Sequence, residues 1–262
     1  MWSANGLLGW GAEKSPIDAK GILEPVVCHP AAVQKKLTHG EVNIWAATLD
    51  PNAIPLFESL LDNNERERAS RMRGSILKQR YVFAHGMLRM ILAPYVGICA
   101  DRLVFGRHAD GKPFLQDHQN IQFSLSHTGP HMLVAIGLDH ELGIDLEARR
   151  DMPDQDKLVD QFFSRQEREQ YWRLPDSQRQ EAFFHMWTRK EALLKATGLG
   201  LQQPLDGFSV SYNLPARLLP GAYQEWNLRH LQIGNDLFGA LAVSIRDVEL
   251  CGGMLQYSQL LS

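Results

Sequence analysis

Gly143-Ile144-Asp145-Leu146-Glu147 alternates apolar and acidic residues with the two-residue period of a β-strand. Asp145 and Glu147 therefore share one face, and Ile144 and Leu146 pack on the other. About forty residues on, Trp187-Thr188-Arg189-Lys190-Glu191-Ala192-Leu193-Leu194-Lys195 has helical spacing, with Trp187, Glu191 and Lys195 four residues apart. Residues at that interval lie one turn above the other, so Glu191 presents a carboxylate beside the Lys195 ammonium. One motif thus reads as a strand and the other as a helix.

The two motifs together bring three carboxylates and a lysine into one argument. Two unit charges about 4 Å apart interact by about 4 kcal/mol at an effective dielectric near 20, so crowded carboxylates repel unless a cation joins them. Hard oxygen donors from two or three side chains suit Mg²⁺, which keeps several waters and binds phosphate oxygens. Each motif alone reads better as ordinary structure, a solvated strand face or a surface ion pair worth a few tenths of a kcal/mol. Both in one chain, punctuated by glycines, favour the cation reading.

Upstream, Phe123-Ser124-Leu125-Ser126-His127-Thr128-Gly129-Pro130 precedes the apolar run Met132 to Gly137, a strand-turn-strand pattern with its turn at Gly129-Pro130. Adjacent strand residues face opposite ways, which disfavours Ser126 and His127 as a nucleophile and base. Phosphate binding is the better functional reading, against an ordinary structural histidine. Gly111-Lys112-Pro113 is a turn that presents a cation.

The remaining chain reads as follows. A strand spans Val42 to Ala47, and helices span Leu56 to about Arg73 and Ile76 to Leu92, the latter ended by Pro94. Strands follow at 103–106, 121–125, 133–136 and 143–147. A helical region covers Lys157 to Tyr171, in which Ser164-Arg165-Gln166-Glu167 is a capping box, so capping is the better explanation for Glu167 and a metal role the minor alternative. The Glu181 to Thr197 helix ends at Gly198, and strands are expected at 208–212, 225–231 and 239–245. Residues 1 to 40 show little periodicity and read as an extension.

The chain's 262 residues, 44% of them hydrophobic, are enough for a sizeable core. A net charge of −3 gives no pull towards nucleic acid or an anionic membrane. No apolar stretch reaches the roughly 20 residues of a membrane helix, and the N-terminus lacks the pattern of a secretory signal. Cys28, Cys99 and Cys251 have neither metal-ligand spacing nor an even count, which suits a reducing compartment. From Asn64 to Arg80, six Lys or Arg oppose two Glu, a net of +4. That stretch reads as a solvated helical face or a steering surface for an acidic partner.

In order, Gly111-Lys112-Pro113, Phe123-Ser124-Leu125-Ser126-His127, Gly143-Ile144-Asp145-Leu146-Glu147 and Trp187 through Lys195 with Gly198 resemble the signature blocks of Sfp-type 4′-phosphopantetheinyl transferases. The resemblance covers about 41 to 245 and is sharp between 111 and 200; Ser124 departs from the family's common Asn. It implies an α+β fold, a pseudo-dimer of two similar halves, each a small antiparallel sheet packed with helices, after the extension at 1–40. The first half, 41–147, would face coenzyme A, and the second, 148–262, would complete the Mg²⁺ site. It also implies a cytoplasmic monomer that transfers phosphopantetheine from coenzyme A to a serine of an apo acyl or peptidyl carrier protein, releasing adenosine 3′,5′-bisphosphate.

Residue by residue, the resemblance implies Asp145, Glu147 and Glu191 as the Mg²⁺ site, with Glu191 also the general base. Lys195 is implied at the pyrophosphate and in catalysis. Ser126 and His127 are implied at the 3′-phosphate end, Lys112 and Pro113 near the nucleotide, and Arg80 and Lys190 among the coenzyme A contacts. Rival readings are a Mg²⁺-dependent phosphohydrolase and a non-catalytic coenzyme A-binding protein; the intact acidic set weighs against the second.

Overall fold

The computed structural model describes residues 10–12, 15–16, 28–30, 37–200 and 203–255. The extension expected at 1–40 falls largely outside them. Its described parts are the short strands β1 (Trp10–Ala12), β2 (Ser15–Pro16) and β3 (Cys28–Pro30).

Two sheets carry the fold. The first runs β2-β12-β4-β8-β7 and the second β10-β11-β9. Here β4 is Glu41–Thr48, β7 Ile121–Thr128, β8 His131–Leu138, β9 Leu142–Ala148, β10 Asn227–Ile233, β11 Leu237–Val243 and β12 Glu249–Leu255. A small hairpin pairs β5 (Phe105–Arg107) with β6 (Pro113–Leu115). The pairing is antiparallel throughout except between β12 and β4, which run parallel. β9, at the junction of the two sequence segments, hydrogen-bonds to β11, and β12 from the far end of the chain joins the first sheet.

Alternation along the strands explains the layering. Val42, Ile44 and Ala46 of β4 meet Ile144 and Leu146 of β9 and Leu241 of β11 in a buried cluster between the sheets. The opposite face of the first sheet, including Trp45 and Val134, packs under α1 (Ile54–Leu60) and α3 (Ser75–Val96). The opposite face of the second, including Phe238, Ala240 and Ala242, packs under α6 (Asp176–Thr197). The result is a helix–sheet–sheet–helix sandwich, a mixed α+β fold of small, largely antiparallel sheets packed with helices.

Several sequence expectations need correcting. The helix expected from 56 to 73 is two, because Asp62 forms a capping box with Glu65 and starts α2 (Asn63–Ser70). α3 runs past Pro94 and ends at Gly97, whose φ of 69° is left-handed. A proline in the last turn forfeits one backbone N–H, which is too little to stop a helix held by packing. The 157–171 region splits at Ser164 into α4 (Gln155–Phe162) and α5 (Arg165–Trp172). The strand expected at 208–212 is reduced to a single bridge between Val210 and Leu218. Among the described residues, no helix is long and apolar enough to cross a membrane.

Candidate active site

Two local devices place the acidic strand. The N–H groups of Ile144, Leu146 and Ala148 donate to the hydroxyls of Ser124, Ser126 and Thr128, at 3.1, 3.2 and 3.3 Å. Those hydroxyls recur every second residue along β7, so they form a side-chain ladder that seals β9 to the first sheet. On the face shared with Asp145 and Glu147, Gly143 supplies the second device. A Cβ there would lie 2.2 Å from the Ala192 carbonyl oxygen and 2.3 Å from the Ala196 nitrogen. The missing side chain lets the α6 backbone rest directly on β9.

That contact brings the last turns of α6 over the carboxylates. From Ala182 to Ala196 the helix is buried nearly all round, and only His185, Trp187, Glu191 and Lys195 are partly open. Trp187 packs its ring against Phe162 and Phe183, which leaves Glu191 and Lys195 as the polar end of its stripe. Lys195 Nζ donates to Asp145 Oδ1 at 2.7 Å and to Ser126 Oγ at 2.9 Å, and Ser126 Oγ donates to Asp145 Oδ1 at 2.9 Å. Asp145 Oδ2 is buried with no hydrogen-bond partner. Burial raises the Glu191 pKa first, then the Asp145 charge; Lys195 opposes this, and Glu147 adds to the rise.

The donor set fits a divalent cation in part. A buried, unpartnered carboxylate oxygen costs free energy unless something meets it. Among the described residues the Glu191 side chain has no hydrogen bond or ion pair; burial raises its pKa most, and a cation would relieve the repulsion from Asp145 and Glu147 that adds to the rise. Against this, Glu147 is engaged by Arg150 at 2.5 Å. Among the described residues, no three His, Cys, Asp or Glu side chains are gathered closely enough to hold a metal ion by themselves. The carboxylates are adjacent but not drawn into a closed chelate.

A cleft of about 380 Å³ opens beside Glu191 and Lys195, floored by Phe123, Leu125 and Leu194. Its wall includes Lys112 and Pro113, and also Arg68, His85 and Arg107. The Lys112 ammonium is occupied by Glu141 Oε2, Leu142 O and Ala196 O at 3.0, 3.1 and 3.2 Å, so it ties the β5–β6 hairpin to β9 and α6. His127 lies near this cluster with its side chain exposed. Its pKa is lowered by desolvation, then by Lys195, His85 and Arg80.

Two of the expected contacts are placed differently. Lys190 is fully buried, donating to Glu167 at 2.8 Å and to the carbonyls of Leu205 and Phe208 at 2.6 and 2.7 Å. Its three protons are taken, so it is not brought to the cleft. Ser126 is buried and spent on β9, Asp145 and Lys195 rather than turned towards open space. Glu167 closes a capping box with Ser164, as its spacing predicts.

Residues 141–242 match the family model described as the 4′-phosphopantetheinyl transferase superfamily. The chain is 34% identical over 215 residues to 4′-phosphopantetheinyl transferase HetI of Nostoc sp., covering 79% of this chain and 90% of that protein. The chain belongs to the 4′-phosphopantetheinyl transferase superfamily. It is accordingly an enzyme of the transferase type. It is also 33% identical over 190 residues to a putative 4′-phosphopantetheinyl transferase of Synechocystis sp., covering 71% and 77% of the two chains. Similarity extends to 4′-phosphopantetheinyl transferase Sfp of Bacillus subtilis, 24% identical over 208 residues, covering 78% and 92%.

Within this transferase, three basic side chains of the cleft lie outside the sequence-predicted site: Arg68 from α2, His85 from α3 and Arg107 from β5. Arg68 was visible only as part of the basic stretch. His85 shares a helical face with Tyr81 and Arg89, four residues to either side, a faint signal with no motif around it.

Proposed function

We propose that this transferase moves the 4′-phosphopantetheine group of coenzyme A onto a serine hydroxyl of an apo acyl or peptidyl carrier protein, with Mg²⁺, releasing adenosine 3′,5′-bisphosphate. The observation that carries this reading is the unfinished cluster at the end of α6. Asp145 holds Lys195 through Oδ1 while its Oδ2 is buried and unpartnered, beside the uncommitted carboxylate of Glu191.

Asp145, Glu147 and Glu191 are the residues that would hold Mg²⁺; Glu147 would have to exchange Arg150 for the ion. Bound there, the ion would neutralise pyrophosphate oxygens. Attack by the serine Oγ on the phosphorus carrying the pantetheine arm forms one P–O bond and breaks the bond to the bridging oxygen. The nucleotide leaves with that oxygen, and Lys195 offsets the charge developing on it. A hydroxyl is a weak nucleophile, so the Glu191 carboxylate accepts its proton, directly or through a water. The basic side chains of the cleft hold the nucleotide phosphates, and Arg80 and His127 add further contacts to coenzyme A. The two halves, 41–147 and 148–262, form a pseudo-dimer with the site at their junction, acting as a cytoplasmic monomer.

The test incubates the protein with coenzyme A, Mg²⁺ and a panel of apo carriers, then weighs the carriers by mass spectrometry. A phosphopantetheine mass gain that requires Mg²⁺ is expected. Coenzyme A hydrolysed with no carrier modified would replace the proposal with a hydrolase. Tight binding with neither reaction would replace it with a binding protein.

A further inference from the structure

His85, on the cleft wall, is held from behind by a carboxylate. Its Nδ1 lies 3.0 Å from Glu65 Oε1. The other oxygen of Glu65 accepts from Arg89 Nε at 2.7 Å and from the Asp62 N–H at 3.0 Å. Arg89 is fully buried and bonds in turn to Asp62 at 2.7 Å and to the carbonyls of Ala100 and Leu103 at 3.1 and 2.9 Å. The carboxylate facing the imidazole is thus fixed on every side. Burial alone would raise its pKa, but the His85 hydrogen bond, the Arg89 guanidinium and the Asp62 N–H outweigh that and hold it below the usual range.

The Tyr81 ring lies one helical turn away, with centroids 4.1 Å apart and planes at 31°. Ring plane and rotation are therefore both set, and the half-buried imidazole lines the cleft, as do Arg68 and Arg107. With Nδ1 committed to Glu65, Nε2 is the nitrogen left for a ligand. A histidine serving only to brace α2 against α3 would not need to border a cationic cleft.

We infer that Glu65 and His85 form a recognition pair for a phosphomonoester: His85 meets the phosphate through Nε2, and Glu65 positions the ring. A histidine between a carboxylate and a phosphate can serve both acceptors, donating one ring N–H to each. The inference rests on the reading that coenzyme A is the donor, and it assigns the pair to the 3′-phosphomonoester rather than to the pyrophosphate.

The experiment measures dissociation constants of coenzyme A and 3′-dephospho-coenzyme A by calorimetry for the wild type, His85→Ala, His85→Gln and Glu65→Gln, each checked for its melting temperature. A charge-assisted hydrogen bond predicts that His85→Ala weakens coenzyme A roughly 10- to 100-fold and leaves the dephospho form within about twofold. Glu65→Gln should lose the same preference in smaller measure, a change in selectivity that a bracing role would not produce. His85→Gln, which offers an amide near the Nε2 position, should recover part of it and covers the case in which alanine unfolds the helix. Equal weakening of both ligands, or of neither, overturns the pair while leaving the donor reading intact. A wild type that binds neither ligand overturns both.

Discussion

Helix α6 carries two lysine–carboxylate pairs five residues apart, and their geometry is nearly the same. Lys190 meets Glu167 at 2.8 Å, and Lys195 meets Asp145 at 2.7 Å. Everything around them differs. Lys190 and Glu167 are both fully buried; two carbonyls complete the ammonium, and the N–H groups of Ser164 and Val210 complete the carboxylate at 2.7 and 2.8 Å. Burial pushes Glu167 up and Lys190 down, and the charge of each opposes the shift of the other. Lys195 is one-third exposed, and Asp145 has an oxygen with nothing to bind. A short ion pair therefore says little by itself. Saturation separates a structural pair from a site still open to a substrate.

The comparison breaks most sharply at Glu191, next to Lys190 in sequence but on the open stripe. Glu191→Gln removes the proposed proton acceptor, and transfer should fall by about 10²- to 10⁴-fold, the usual range for a general base. The melting temperature should stay near that of the wild type. Steady-state transfer to an apo carrier reads the first, and a thermal scan the second; near-normal turnover would remove Glu191 from the chemistry. Lys190→Ala should do the reverse. It strands Glu167 in the core at a cost of about 3–5 kcal/mol, read by urea denaturation, while coenzyme A affinity per folded molecule is kept. Affinity lost without destabilisation would return Lys190 to the cleft.

The same contrast explains what the sequence could convey. Strand β9 and helix α6 were legible because Asp145 and Glu147 obey a period of two, and Glu191 and Lys195 a period of four. Periodicity also put Lys190 off that stripe, yet adjacency within one motif tied it to its neighbours' role. Whether its protons were satisfied depends on Leu205 and Phe208, which no local pattern links to it. Arg68, His85 and Arg107 were missed because a cleft wall is assembled from α2, α3 and β5 only after folding. β12 was invisible for a related reason. Its Gly252-Gly253 lacks a strand signature, yet Gly252 is required: at φ 149°, a Cβ there would lie 1.7 Å from the Ile44 carbonyl oxygen.

A third cation of α6 sharpens the comparison, with the smallest expected effect. Arg189 is fully buried, and its Nη1 donates to the carbonyls of Ser211 and Asn213, but Nε and Nη2 have no partner. It is unsaturated like Asp145 yet closed off like Lys190, and burial pushes its pKa down to about 10. Beside it, burial and then the Arg189 charge lower His185 to about 3 and His230 to about 4. Both histidines are thus neutral in the folded protein at a pH where the unfolded chain, titrating near 6.5, already binds protons. Stability is full above about 6.5 and falls with pH through that value, from both histidines down to about 4 and from His185 alone down to about 3. Melting temperatures between pH 7.5 and 4.5 should show this slope, and His185→Phe combined with His230→Phe should flatten it. An unchanged slope in the double variant would place the acid sensitivity elsewhere. A flattened one would show that an unsaturated group sealed from solvent is a liability of the fold, whereas the same deficit at Asp145, open to the cleft, is available to a ligand.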